Sequence, residues 1–286
     1  MGRALAWVLC AALAAACGGA DGPQESDLDR LQRTGVARIG FANEAPYAFL
    51  DPASGRLTGE APEIARAVLA RMGVAEVEGV LTEFGSLIPG LQARRFDLIA
   101  AGMYVTPARC REIAFSEPTY AIGGSFVVTR GNPLGLRSYE DVLGHERARL
   151  GVMAGAVERG HALRVGVPLA RIVTFPDAPS AVAGVLAGRV DAFAATELTA
   201  RDLLAKASSD RLELAEAFRD PVFDGRAARG HGAFAFRKES DRLRLAFDRE
   251  LVAFIGSPEH RALVAPFGFT EAQLPGDVTT AALCQP

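Results

Sequence analysis

Two stretches of the chain share one pattern: "EFGSLIPGLQARRFDLIAAG" at residues 83–102 and "DAPSAVAGVLAGRVDAFAAT" at residues 177–196. A glycine, an arginine and an aspartate align at one offset of 94 residues, which pairs Asp97 with Asp191. Each copy predicts a helix followed by a buried strand, and this alternation is typical of α/β proteins. The offset is too long for a solenoid repeat. The pattern therefore predicts two structurally related α/β lobes.

Two apolar runs bracket the second copy, "GSFVVTR" at residues 124–130 and "HGAFAFRK" at residues 231–238. We predict that they are the strands that cross between the lobes. The first lobe then comprises residues 35–128 and 233–286, and the second lobe comprises residues 129–232. Ligands of open α/β sheets bind outside the carboxyl ends of the strands. The residues that follow the two repeat strands are therefore predicted to face a cleft between the lobes.

The N-terminal residues have the pattern of an export signal. Arg3 precedes a short apolar run that ends in "LAAAC", and "GGADGPQESD" follows it. This pattern is typical of a secretory signal, and the final cysteine resembles a bacterial lipobox. We predict a signal peptide over residues 1–16, a lipidated Cys17 and a flexible tether over residues 17–34. The alternative is an ordinary signal peptide with an unrelated cysteine, because Ala14 stands where lipoproteins usually carry Leu, Val or Ile.

Export also constrains the pairing of the cysteines. Cys10 would leave with the signal peptide and Cys17 would carry the lipid, which leaves Cys110 and Cys284 as an even pair in an oxidising compartment. We predict a disulfide that joins the C-terminal tail to the first lobe. Two buried thiols are the alternative.

Composition and charge exclude several classes of function. The formal net charge is −3 with both signs interspersed, so no nucleic-acid partner is predicted. No apolar segment reaches the ~20 residues that a membrane-spanning helix needs. The four histidines lack metal-ligand spacing and no nucleophile–base pair is visible, so neither a metal nor a catalytic site is predicted. His231, beside the second crossover strand, is considered as a ligand contact, with packing at the hinge as the alternative.

One arginine occupies an unusual position in the stretch "GMYVTPARC" at residues 102–110. Thr106 is a good N-cap and Pro107 suits the first helical position, so Arg109 falls at the third, where a capping box would have Glu. A cation there opposes the helix dipole at a cost of roughly 0.3–1 kcal/mol. An anionic ligand would offset that cost, since a guanidinium can bind a carboxylate with two hydrogen bonds. A solvated surface arginine is the alternative.

Several ordered blocks, from about residue 35 to the C-terminus, resemble family 3 of the bacterial extracellular solute-binding proteins, which deliver amino acids and related solutes to ABC importers. The blocks are "GFANEAPYAFLDPASGRLTGEAPEIA", "SLIPGLQARRFDLIAAGMYVTPAR", "FSEPTY" and "GRVDA". The resemblance implies a two-lobed periplasmic binding protein of type II, with a permease as partner, no cofactor and no enzymatic activity, and we expect a monomer. In that family the arginine that matches Arg109 holds the ligand carboxylate.

Two positions depart from the amino-acid binders of the family. Tyr104 stands where they usually carry a small hydroxyl residue, and Thr196 stands where they usually carry an aspartate that pairs with the ligand ammonium. A compact ammonium would find fewer acceptors here, and an unpaired buried cation is costly. Instead, aromatic residues follow first-lobe strands at Tyr47, Phe84 and Tyr104. Aromatic faces attract diffuse cations by about 0.5–2 kcal/mol each, and plain core packing is the alternative for each ring.

Within the family, the pattern is most similar to the ectoine- and hydroxyectoine-binding proteins. The shared elements are "ANE-x-P-aromatic", an aromatic before "G-x-x-IPGLQ", "AG-x-aromatic-x-x-P-x-RC", "GNPLGL-x-SY" and two cysteines that match those paired above. Ectoine combines a cyclic amidinium with a carboxylate. The resemblance therefore implies that Arg109 binds the carboxylate and that Glu44, Tyr47, Phe84 and Tyr104 surround the cation.

The second lobe matches this subgroup less well. Its loop "GVMAGAVERG" (151–160) lies where the ectoine binders have a threonine that contacts the ligand, and here Val157 takes that place. We predict that backbone amides near Gly155 and Val157 contact the ligand. The alternative is a different ligand, a polar or cationic amino acid. Two other classes are considered: a lyase or dehydratase on this fold with Glu44 as general acid, and the ectodomain of a sensor.

Overall fold

The computed structural model describes residues 25–207 and 209–285. The predicted signal peptide and Cys17 lie outside these residues. The last part of the predicted tether lies inside them, and there the prediction is wrong, because residues 27–34 form a helix. Ser26 caps this helix by accepting a hydrogen bond from the Asp29 amide, and Leu31 is buried on the inner face of the helix. Asp27 accepts a hydrogen bond of 2.9 Å from the buried Arg237. The helix is therefore part of the folded first lobe.

The structure contains α-helices connected by short strands, as the alternation in the sequence predicts. The α-helices within the described residues are α1 (Asp27–Thr34), α2 (Glu60–Arg71), α3 (Leu87–Gln92), α4 (Pro107–Cys110), α5 (Tyr139–Gly144), α6 (Glu158–Val165), α7 (Ala178–Leu186), α8 (Glu197–Lys206), α9 (Asp241–Phe254), α10 (Pro258–Val264) and α11 (Thr280–Leu283). Single turns of 3₁₀-helix occupy Phe84–Ser86, Leu169–Arg171, Ala265–Phe267 and Glu271–Gln273.

The strands are short and fall into two main sheets and three small pairs. They are β1 (Val36–Phe41), β2 (Phe49–Leu50), β3 (Leu57–Thr58), β4 (Glu76–Leu81), β5 (Leu98–Ile99), β6 (Ala114–Phe115), β7 (Tyr120–Ile122), β8 (Gly124–Thr129), β9 (Leu150–Met153), β10 (Ile172–Phe175), β11 (Ala192–Thr196), β12 (Leu212–Leu214), β13 (Val222–Phe223), β14 (Arg226–Ala227), β15 (Gly230–Gly232) and β16 (Ala235–Phe236).

The two main sheets have the same topology. The first has the order β4-β1-β5-β16-β6 and the second has the order β10-β9-β11-β8-β12. In each, the first three strands are parallel and the fourth runs antiparallel to both of its neighbours. The predicted α/β class and the two related units are therefore confirmed.

The repeated aspartates explain why the two copies of the sequence pattern fold alike. Asp97 and Asp191 each precede the third strand of their sheet. The Arg38 amide donates to the Asp97 carboxylate over 2.9 Å, and the Arg149 amide donates to the Asp191 carboxylate over 2.7 Å. Each aspartate thus fixes the end of its strand against the neighbouring strand in the same way.

The chain crosses between the sheets at a different place from the one predicted. Strands β7 and β15 pair antiparallel between the two sheets and form the crossover. The run at 124–130, predicted as the first crossover, supplies β8, which lies inside the second sheet between β11 and β12. The run at 231–238 is divided between the crossover strand β15 and the first-sheet strand β16. The fourth strand of each sheet therefore enters directly after a crossover from the other sheet, and residues 124–128 pair with the second sheet.

The cores lie between the sheets and the helices that cover them. In the first lobe, α2 and α9 pack on the sheet and bury Leu69, Phe247 and Leu251. In the second lobe, α7 packs on the sheet and buries Val185 against Phe193. The hydrophobic effect of this burial holds each lobe together.

The predicted disulfide is confirmed. Cys110 at the end of α4 is bonded to Cys284, with 5.6 Å between their Cα atoms and a sequence separation of 174. A covalent link across so long a loop restricts the unfolded chain more than a short one would. The bond also fixes α4, the helix that carries Arg109, to the C-terminal tail.

Candidate functional site

One cavity lies between the lobes, where the carboxyl ends of both sheets meet. Six of the seven residues predicted to contact the ligand line it, and the seventh, Gly155, contacts one of them. The lining residues are Glu44, Tyr47, Phe84, Gly102, Tyr104 and Arg109 from the first lobe, and Met153, Ala156, Val157, Glu158, Phe193, Ala194, Ala195 and Thr196 from the second.

Arg109 lies at the third position of α4, as the sequence predicts. The Thr106 hydroxyl caps the helix by accepting the Arg109 amide over 3.2 Å, and Pro107 is the first helical residue. The guanidinium lies 5.6 Å from the centre of the Phe84 ring. Its Nη1 donates to the Tyr104 carbonyl oxygen over 2.8 Å. Within the described residues no carboxylate forms an ion pair with it, so its remaining N–H groups can bind an anion.

Gly155 brings the second lobe into contact with the first. Its carbonyl oxygen accepts a hydrogen bond of 2.9 Å from Nη2 of Arg109. Its φ is +77°, and a Cβ atom there would lie 2.6 Å from the Cα atom of Gly85. Only glycine fits both the backbone conformation and the close approach. The observed contact of Gly155 is therefore with Arg109, through its carbonyl oxygen, and the contact of backbone amides with the ligand stays a prediction.

A chain of hydroxyl groups joins the two lobes beside Glu44. The Tyr47 hydroxyl donates to Thr196 over 2.9 Å, Thr196 donates to Thr199 over 3.0 Å, and Thr199 donates to the Glu44 carboxylate over 2.9 Å. Burial raises the pKa of Glu44 to about 7, and the Thr199 hydrogen bond opposes this. Thr196, which replaces the aspartate of the amino-acid binders, also caps α8.

The three aromatic residues each belong both to the cavity wall and to the core. Tyr47 is only 2% exposed, and its ring centre lies 5.2 Å from that of Tyr120. The Tyr104 ring packs so closely on the crossover strand that a Cβ atom on Gly230 would lie 1.8 Å from it. Phe84 lies beside Arg109. The cage interpretation and the core interpretation of these rings are therefore compatible.

Glu158 also lines the cavity, although nothing in its sequence context predicts this. It is the first residue of α6 and is 7% exposed. Burial raises its pKa to about 7, and the positive charge of Arg109 opposes this. An acidic residue in the first turn of a helix is common at protein surfaces because it complements the dipole. The pattern alone therefore could not distinguish a buried cavity residue from a solvated one.

The remaining candidates contribute no ligand site in the described part of the chain. His231 lies in the crossover strand β15, where it pairs with Ala121, and it does not line the cavity. Its position agrees with the packing alternative. Within residues 25–207 and 209–285, no group of His, Cys, Asp or Glu is arranged to hold a metal ion, and no helix is long and apolar enough to cross a membrane.

Comparison with known proteins identifies the family. Residues 37–270 match the family model of the bacterial extracellular solute-binding proteins, family 3. The chain belongs to this family. It is 40% identical over 261 residues to a probable amino-acid ABC transporter periplasmic-binding protein, y4tE, of Sinorhizobium fredii, a match that covers 90% of this chain and 85% of the relative.

Two further proteins to which the chain is similar differ in the ligands that their names state. EhuB in complex with hydroxyectoine matches with a TM-score of 0.82 at 36% identity, covering 91% of this chain and 98% of EhuB. The lysine/arginine/ornithine-binding periplasmic protein of Escherichia coli is 27% identical over 223 residues, covering 76% of this chain and 81% of the relative.

Membership of family 3 confirms the coarse function predicted from the sequence. The protein is the solute-binding component of an ABC importer and has the two-lobed type II fold of periplasmic binding proteins. Family members bind solutes outside the cytoplasmic membrane and are not enzymes. The lyase alternative is therefore set aside, and the identity of the solute becomes the question.

Proposed function

We propose that the protein captures a small zwitterion with a delocalised cation, of the ectoine and hydroxyectoine class, and delivers it to the permease of an ABC importer. The observation that carries this proposal is the shared cavity, which Arg109 and Glu44 line together with Tyr47, Phe84 and Tyr104. An anion-binding group, a carboxylate and aromatic faces together match both charges of a cyclic amidinium carboxylate. The likeness to EhuB in complex with hydroxyectoine supports the same class.

Arg109 supplies the site for the solute carboxylate. Its guanidinium has five N–H donors, and two of them bond to the carbonyl oxygens of Tyr104 and Gly155. The other three are available to a carboxylate. Since the bond to Tyr104 lies within the first lobe and restrains the guanidinium before closure, less side-chain entropy is lost when the solute binds.

Glu44 and the aromatic rings supply the site for the solute cation. The Thr199 hydroxyl holds the Glu44 carboxylate on the second-lobe side. A delocalised cation is weakly hydrated, so it can leave water for the aromatic faces at a smaller cost than a compact ammonium. A compact ammonium is disfavoured, because Thr196 stands where the amino-acid binders of the family usually carry the aspartate that pairs with it.

A polar or cationic amino acid is the second candidate. Glu158 favours it, since a second carboxylate on the cavity wall could pair with an additional positive charge. The lysine/arginine/ornithine-binding relative also favours it.

Closure of the lobes over the solute completes the proposed mechanism. The solute would bind the first lobe, and rotation about β7 and β15 would bring the loop at Gly155 onto it. Small-angle scattering with and without solute should show a smaller radius of gyration in the complex, and an unchanged radius would contradict closure. The same samples give the molecular mass, for which we expect a monomer.

We also propose that lipid on Cys17, which lies outside the described residues, holds the protein at the membrane. Metabolic labelling with a radioactive fatty acid should mark the wild type, and the Cys17→Ala variant should lose the label. Equal labelling of both would contradict the anchor.

A thermal-shift panel tests the solute class. The panel contains ectoine, hydroxyectoine, glycine betaine, proline, arginine and glutamine. A solute that binds only the folded state raises the melting temperature, and at equal concentration a tighter-binding solute raises it more. We expect the two ectoines to give the largest shifts. A large shift with arginine or glutamine and none with ectoine would contradict the proposal and favour the amino-acid alternative.

A further inference from the structure

Glu158 is a second carboxylate in the cavity, and it is not explained by the contacts assigned above. It is 93% buried at the start of α6. Its carboxylate interacts with its own backbone amide, and among the described residues no other group donates a hydrogen bond to it. A buried carboxylate without further donors loses the hydrogen bonds that water would give it. A partner from outside the chain would restore them.

Arg109, the positively charged residue that influences Glu158, does not act as that partner. Arg109 influences the pKa of Glu158, yet the two form no ion pair within the described residues, and Arg109 is bonded to two carbonyl oxygens. The positive charge of Arg109 and the carboxylate of Glu158 are therefore not paired with each other. Both remain available to a solute.

The groups on the other side of Glu158 do not satisfy it either. A smaller cavity there is lined by Tyr139, His161 and Asp220 together with Glu158 and Tyr104. Burial lowers the pKa of His161 to about 4, so this histidine is neutral at physiological pH. Asp220 is itself an acceptor and takes the Gly124 amide over 2.7 Å. Among the described residues that line this smaller cavity, none carries a positive charge.

We propose that Glu158 is a specificity-determining residue that accepts an N–H group of the solute cation, on the opposite lobe from Glu44. This inference rests on the proposed function, because it assigns a role within the same site. It deepens that function by defining the cation: the solute must carry N–H donors in two directions, as an amidinium or a guanidinium does. A quaternary ammonium carries none.

Two acceptors give a discrimination that aromatic faces alone cannot give. The rings attract a quaternary ammonium as well as an amidinium. A quaternary ammonium, however, would leave the Glu44 and Glu158 carboxylates without donors inside a closed cavity. A site with unpaired buried acceptors rejects the solute that lacks the matching donor.

Calorimetric titration of three proteins with ectoine, glycine betaine and L-arginine tests the assignment. The proteins are the wild type, Glu158→Gln, which keeps the size and removes the charge, and the control Glu140→Gln. Glu140 also lies in the first turn of a second-lobe helix, but it is exposed and does not line the cavity. Glu158→Asp, which keeps the charge on a shorter side chain, is the second variant if the first does not fold.

We expect the Glu158→Gln substitution to weaken ectoine binding about tenfold, because a hydrogen bond to a charged group is stronger than one to a neutral group by about 1.4 kcal/mol, and to leave betaine binding within about twofold. The Asp variant should lie between the wild type and the Gln variant, and the control should match the wild type. Unchanged ectoine affinity in Glu158→Gln would overturn the inference.

The same titrations separate a failure of this inference from a failure of the proposed function. If the wild type binds L-arginine and not ectoine, the proposed function fails, and Glu158 is then judged on L-arginine, whose guanidinium also donates N–H groups. A tenfold loss there supports the role of Glu158, and no loss overturns it. A wild type that binds none of the three solutes overturns both.

Discussion

Arg109 and Gly155 are joined across the cleft by a hydrogen bond of 2.9 Å, from Nη2 to the carbonyl oxygen. Arg109 belongs to the first lobe and Gly155 to the second. The side chain that we assign to the solute carboxylate therefore also stabilises the closed arrangement. Solute binding and lobe closure thus depend on the same guanidinium.

Gly155→Ala should impair closure. The new Cβ would lie 2.6 Å from the Cα of Gly85, and the backbone has a positive φ that disfavours a side chain. We expect ectoine affinity to fall at least about tenfold by calorimetry, with the melting temperature of the solute-free protein little changed. Gly160→Ala, in α6 with open space around it, is the control and should bind normally. Normal binding by Gly155→Ala would show that the contact is not needed.

Arg109→Ala should abolish binding, and Arg109→Lys should not restore it. Lysine keeps the charge but lacks the planar fork that binds a carboxylate with two hydrogen bonds. We expect a loss of at least about a hundredfold in both variants, since charge-assisted hydrogen bonds contribute ~1.5–3 kcal/mol each. Arg111→Ala is the matched control, because Arg111 is exposed immediately after the same helix. Retained affinity in Arg109→Ala would remove Arg109 from the site.

Tyr104 should act through its aromatic face rather than its hydroxyl. Tyr104→Phe keeps the ring, so we expect ectoine affinity within about twofold of the wild type. Tyr104→Leu removes the face and should weaken binding roughly 2- to 30-fold, the equivalent of 0.5–2 kcal/mol. Melting curves check that loss of packing on Gly230 does not unfold the variant. If Phe and Leu weaken binding equally, the hydroxyl rather than the face makes the contact.

Glu60 should make stability depend on pH, independently of the solute. Its side chain is 1% exposed, one oxygen accepts the Thr119 hydroxyl over 2.8 Å, and the other has no partner among the described residues. Burial raises its pKa from 4.5 to about 8. The folded state therefore favours the protonated form. Stability from this group is complete below about pH 4.5 and is lost as the pH rises through about 8.

Urea denaturation of Glu60→Gln at pH 5.5 and pH 8.5 measures this effect. The free energy of unfolding of the variant, relative to the wild type, should increase between the two pH values by roughly 1–3 kcal/mol, since one pKa unit corresponds to about 1.4 kcal/mol. Glu78→Gln on the exposed edge strand β4 should show no such increase. A difference for Glu60→Gln that stays constant with pH would mean that the folded protein holds Glu60 ionised.

The features that the sequence predicted correctly are governed by local or repeated patterns. The cap at Thr106 and the position of Arg109 depend on neighbouring residues alone. The two lobes could be predicted because Asp97 and Asp191 recur in the same context. The segment around Ser26 carried similar local signals, a serine cap and a left-handed glycine at Gly35, and the helix there was nonetheless missed.

The features that the sequence did not predict depend on contacts between distant segments. The apolar run at 124–130 indicates a buried strand, but its composition cannot show which sheet it joins. The burial of Glu158 depends on closure of the second lobe onto the first, and the carbonyl contact of Gly155 depends on the same approach. These contacts follow from tertiary packing, which no local pattern contains.

Competition calorimetry tests the solute class most directly. Hydroxyectoine is titrated into the purified protein, first alone and then in the presence of saturating L-arginine. We expect one equivalent of hydroxyectoine to bind with a measurable heat, and L-arginine to change its affinity little. Tight binding of L-arginine, with no heat from hydroxyectoine in either titration, would contradict the assignment of the cavity to a cyclic amidinium carboxylate.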